Sequence, residues 1–151
     1  MSKKFFITFT EEKMNLDKLY NIAEKEKIDI INFKMKKSKA RIINIDNSYI
    51  FIDYSRIHTY TEEKCLLAEE LGHYYFSAYY SFSSSQINID KQEYKALKWK
   101  SLVCVPLKSI LNCFKKGICN LSDIATELQV EPDMVEFAYN YYKENNMLFC
   151  N

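Results

Sequence analysis

The chain has 151 residues, enough for one substantial core and too few for two. Apolar residues make up 48% and charged residues 27%, while 21 bases against 20 acids leave a net charge of +1, so no global field points to nucleic acid or an anionic membrane. No apolar stretch nears the roughly 20 residues that span a bilayer, and the apolar run Phe5 to Phe9 is too short for a secretory signal. These features set aside a membrane-spanning chain, a disordered tail and a secreted protein.

The five cysteines (Cys65, Cys104, Cys113, Cys119, Cys150) are odd in number and form no CxxC. They read as reduced thiols, which places the protein in a cytoplasm. Cys113 and Cys119 are near enough in sequence to pair or share a metal, but isolated cysteines usually behave as small buried hydrophobes. Charge is uneven along the chain: residues 1–41 hold eleven bases and six acids, and residues 121–151 hold six acids and one base.

Leu16, Leu19, Ile22 and Ala23 recur at helical spacing and predict a first helix of about 13 residues ending near Lys27. Three β-rich runs follow, Ile28 to Lys34, Ala40 to Ile45 and Tyr49 to Tyr54, with Asp46-Asn47-Ser48 as a hairpin turn between the last two. Thr59 and Glu62 have capping-box spacing and open a helix that runs to about Tyr79. Ser81 to Ile89 reads as a polar loop, and Lys91 to Val105 as a second long helix closed by Pro106. Leu107 to Lys115 is a third, with Gly117 as its C-cap. Leu121 to Leu128 and a helix opened by Pro132 form a C-terminal helical hairpin. The expected class is α+β in one domain, residues 1–151. A helix and a small antiparallel or mixed three-stranded sheet fill about 15–58, and a helical part fills about 59–145.

The chemistry concentrates in Leu66-Leu67-Ala68-Glu69-Glu70-Leu71-Gly72-His73-Tyr74-Tyr75. A glycine inside a helix costs about 1 kcal/mol relative to alanine. Gly72, one of only two in the chain, therefore marks a spot that must stay clear, for a neighbouring backbone or a metal site. Glu69 and His73 are spaced i, i+4 and project from one face, where both can ligate one ion. Glu70 lies about 100° round the helix, placed to reach metal-bound water. The geometry is that of HExxH, with Glu69 at the first histidine's place. By itself an ExxxH pair is a weak signal, since such pairs are commonly surface side chains. Twenty residues further on come Glu93, Ala96 and Trp99, followed by Val105-Pro106, and an adjacent helix is where a catalytic zinc finds its third ligand.

In these residues the chain resembles the ImmA/IrrE family of zinc metallopeptidases, small bacterial and phage proteins with an AHELGH-type helix and a later ExxA-x-x-F/W helix ending in a leucine- or isoleucine-proline. Ala68 to His73 matches the first motif in five of six positions, and Glu93, Ala96, Trp99 and Val105-Pro106 match the second. The resemblance implies a zincin-like active-site helix, a metal held by Glu69, His73 and Glu93, and Glu70 as general base. Two carboxylates neutralise a divalent ion that two histidines and one carboxylate would leave positive. Glu69 therefore weakens polarisation of bound water and tilts preference from zinc toward manganese or iron(II).

His58, the only other histidine, reads as an exposed structural residue, or as a ligand if its turn folds back. Tyr74, Tyr75, Tyr79 and Tyr80 read as packing residues with a wet tip, and Trp99 as core. The C-terminal hairpin has helix-turn-helix wording, but its acidic balance opposes DNA binding. The basic run Lys34 to Arg41 reads as a solvated loop or hairpin edge. The function this implies is that of a cytoplasmic prophage or mobile-element endopeptidase. Its substrate would be a helix-turn-helix repressor. The alternative is an inactive peptidase-fold protein that binds such a repressor.

Overall fold

The computed structural model describes residues 13–76 and 86–149. The expected helix end near Tyr79, Tyr79 and Tyr80 themselves, the serine run 81–85 and Cys150 lie outside the described residues.

Helix α1 (Leu16–Lys25) is capped by Asn15, whose Oδ1 accepts from Lys18 N at 2.9 Å, and it buries Leu16, Leu19 and Ala23. It stops short of the expected end because Lys27 turns into a left-handed conformation, φ 57°, to start the sheet. Strands β1 (Ile28–Asn32), β2 (Ala40–Asn44) and β3 (Ser48–Ile52) are ordered β1-β3-β2. β2 and β3 form the expected antiparallel hairpin, with Ile42 opposite Ile50. β1 runs parallel to β3, Ile28 opposite Ser48, so the sheet is mixed and β2 is an edge strand among the described residues. Ile28, Ala40, Ile50 and Ile52 face the core; Ile31 and Ile43 face out. The basic run is the β1–β2 connection, with its last member, Arg41, in β2. Arg56 Nη1 holds it by donating to the carbonyls of Met35 at 3.2 Å and Ser38 at 3.0 Å, while Lys34, Lys36 and Lys37 point to solvent.

Helix α2 (Tyr60–Phe76) opens as expected, Thr59 Oγ1 accepting from Glu62 N at 3.1 Å. The reciprocal bond reaches one residue further back than in a capping box: the Glu62 carboxylate accepts from His58 N at 3.0 Å. Helix α3 (Gln86–Cys104) begins before the expected Lys91, so Gln86 to Ile89 are helix and not loop. Gln86 Nε2 donates to Asp90 Oδ1 at 2.8 Å, a one-turn pairing that stabilises this polar first turn. Pro106 both ends α3 and N-caps α4 (Leu107–Lys115). Gly117, at φ 75°, closes α4, with Ile118 N donating to Cys113 O at 2.9 Å. Helices α5 (Leu121–Leu128) and α6 (Pro132–Glu144) meet through Gln129 at φ 54° and pack by Ile124, Leu128, Val130, Met134 and Ala138.

One buried cluster runs from Met14 through the inner sheet face and α2–α3 to Tyr142, whose hydroxyl donates to Val105 O at 2.9 Å. The hairpin is thus built into the core. Lys64, 0% exposed, is a second tie: its Nζ donates to Leu128 O at 2.8 Å, at the negative end of α5, and burial pulls its ammonium below the usual lysine range. Cys65, Cys104, Cys113 and Cys119 are free thiols. Burial pushes Cys65 up to about 11 and Cys104 up to about 12, which makes both inert.

Candidate functional site

The site is made by how closely α2 and α3 approach. A Cβ on Gly72 would stand 2.8 Å from the Ala96 carbonyl oxygen and 3.2 Å from Ala96 Cα. The glycine therefore serves the approach of a neighbouring backbone, one of the two reasons its sequence position suggested. Trp99, 1% exposed, packs beside this contact with its ring 5.2 Å from that of Tyr75. The helices run antiparallel here. On one side of the Gly72–Ala96 contact His73 meets Glu93, and on the other Glu69 meets Lys100.

The four residues singled out by sequence fall into three environments. His73 Nε2 and Glu93 Oε2 are 3.7 Å apart, with the histidine side chain 13% exposed and the glutamate 54%. Glu69 Oε2 instead accepts from Lys100 Nζ at 2.8 Å. Glu70 turns away toward the sheet and accepts from the backbone amide of Ile42, on the edge strand β2, at 2.7 Å. It is 7% exposed. Burial dominates its titration and pushes the carboxyl up; the Ile42 amide opposes this and the Glu69 charge adds to it. The result is about 7. A carboxyl with that affinity can accept and return a proton near neutral pH.

Sequence reading did not single out Lys100. It lies seven residues after Glu93, on the same stripe of α3, and is itself buried, 7% exposed. Burial pulls its ammonium down, but the bond to Glu69 and the charges of Glu131 and Asp133 outweigh that and hold it above the usual lysine range. Glu131, the N-cap of α6, is 4.0 Å away. The usable signal in the sequence was an acid where the family motif has a histidine, since a carboxylate there needs a cation. His58 is exposed at the far end of α2, about 20 Å from His73 by helical rise.

A catalytic zinc centre sets a geometric requirement on these donors. Tetrahedral zinc at about 2.0–2.2 Å from nitrogen and oxygen ligands separates two donors by about 3.4 Å. The His73–Glu93 spacing approaches this. The third donor does not fit: Glu69 is bound to a buried ammonium, which would sit against the ion as a like charge. Among the described residues, no three His, Cys, Asp or Glu side chains converge.

A buried carboxyl on α2, a second helix pressed against it and the edge of a small mixed sheet beside it make up the site. The chain belongs to the family described as IrrE N-terminal-like domain, Peptidase_M78, whose family model matches residues 23–140. That span takes in α2, α3, the sheet and most of the C-terminal hairpin. No curated protein and no solved structure matches the chain.

Proposed function

We propose that this member of the family captures a regulatory protein without hydrolysing it. On the family resemblance the partner is a helix-turn-helix repressor, held in the cytoplasm in a prophage or mobile-element setting. The supporting observation is the Glu69–Lys100 ion pair, which takes the first-ligand position of the EExxH helix out of use as a metal donor. The helix pair that would carry a reaction is instead a closed structural joint. Direct DNA contact is no part of this reading, because residues 121–151 hold six acids and one base.

A second reading, repressor cleavage by a metal-dependent endopeptidase, is favoured by Glu70, whose proton affinity of about 7 suits a general base for water. It needs Glu69 to leave Lys100 and join His73 and Glu93 on zinc, manganese or iron(II).

The test is incubation of the purified protein with a purified helix-turn-helix repressor encoded on the same element, with and without added zinc or manganese. A stable complex containing full-length repressor, by size exclusion and intact mass, is the expected result. Shortened repressor, with cleavage lost in Glu70→Gln, would establish the second reading. No complex and no cleavage would defeat both.

A further inference from the structure

We infer that Glu69 and Lys100 together replace the first metal ligand, so that a side-chain ammonium supplies the cation at this helix joint and withholds the site from zinc. This deepens the non-hydrolytic reading above and rests on it, but what it claims is the cation.

Three observations carry it. Lys100 meets the motif's own helix face: the Glu69–Lys100 pair and the His73–Glu93 pair flank the close approach of Gly72 to Ala96. Lys100 is buried, so its charge is part of the joint and does not move freely in solvent. A buried ammonium also requires compensation, and here Glu69 accepts from it at 2.8 Å while the Glu131 carboxylate stands 4.0 Å away, from two other parts of the fold. A metal on Glu69 would strip Lys100 of its nearest acceptor and place a divalent charge beside it. Both effects oppose binding. A glutamate in place of the motif's histidine is then more than a weaker ligand. It is the acid that a lysine at position 100 demands.

The chemical prediction is that undoing the pair creates the zinc site. The protein, Glu69→His/Lys100→Met and, as a check, the same double variant carrying His73→Ala are equilibrated with zinc, dialysed, and read by mass spectrometry and by competition with a zinc indicator. Methionine approximates the volume of the lysine stem, and histidine restores HExxH. The expected result is no retained zinc in the unmodified protein. The double variant should retain about one ion per chain, with an affinity at least about 100-fold higher, and lose it in the His73→Ala background. Zinc retained at about one per chain by the unmodified protein, lost on His73→Ala, would overturn the inference. A folded double variant, by circular dichroism, that gains no zinc would overturn it equally. If the double variant does not fold, Lys100→Met alone takes its place, with a gain of at least about tenfold expected and no gain counting against the inference. These readouts do not involve the repressor, so cleavage of the repressor would defeat the functional proposal separately.

Discussion

Glu69 and Glu70 are neighbours in sequence and opposites in situation. Glu69 looks across α2 toward α3 and accepts from Lys100 Nζ. Glu70 looks toward β2, accepts from a neutral backbone amide, and is pushed by burial toward its protonated form. One residue of helical rotation decides between a carboxylate paired with a buried ammonium and a carboxyl that titrates near neutrality. The two faces of α2 thus carry different partners, an ion pair on one and a buried proton site on the other, and the charge of Glu69 adds to the rise at Glu70.

Gly72→Val attacks the frame that holds both faces apart. Its branched side chain would strike the Ala96 carbonyl, which is backbone and cannot turn aside. The expected loss is about 3 kcal/mol or more, seen as a fall in Tm of roughly 6–12 °C. Next in size is the pH dependence of Glu70. Its folded value, about 7, lies above its ordinary 4.5, so its contribution is fully present below about pH 4.5 and is lost as pH rises through 7. The loss by pH 8 is about 3 kcal/mol. Glu70→Gln, which keeps a carbonyl for Ile42, should therefore raise Tm at pH 8 and leave it nearly unchanged at pH 4.5. Equal shifts at both pH values would show that Glu70 titrates normally.

The ion pair predicts an asymmetry. Glu69→Ala strands a lysine that is 7% exposed, leaving it Glu131 at 4.0 Å, and should cost about 2 kcal/mol. Lys100→Met removes the buried charge and leaves Glu69, 41% exposed, to water, at about 1 kcal/mol or less. Urea denaturation of both variants checks the order; the reverse order would mean that the pair is held from Glu69's side. Smallest is Glu131→Gln, expected below about 0.5 kcal/mol because that carboxylate is half exposed and at the limit of contact.

Much of this was legible because it is local. Thr59 and Glu62 announce the start of α2, Gly117 the end of α4 and Pro132 the start of α6, and each signal lies within a turn of the feature it controls. Gly72 was legible as a place that must stay empty, and the sequence spacing put Glu69 and His73 on one face. What stayed hidden depends on how elements meet. The parallel pairing of β1 with β3 follows from the path of the chain and leaves no mark in Ile28 to Asn32. Lys100 reads as an ordinary helical lysine until α3 is laid against α2, and Lys64 does likewise until α5 ends above it. Glu70 was expected to face a reacting water, yet its partner is a strand 28 residues earlier.

That partner has a consequence for what can lie along the sheet. An edge strand offers its outward amides to any extended chain that comes alongside, and aggregation and peptide capture both begin that way. At Ile42 the outward amide of β2 is already spoken for by Glu70. A visiting strand must evict a carboxyl before it can zip up, and the readiness of Glu70 to leave rises or falls with its proton. Position 70 is thus the latch on the β2 edge of the sheet.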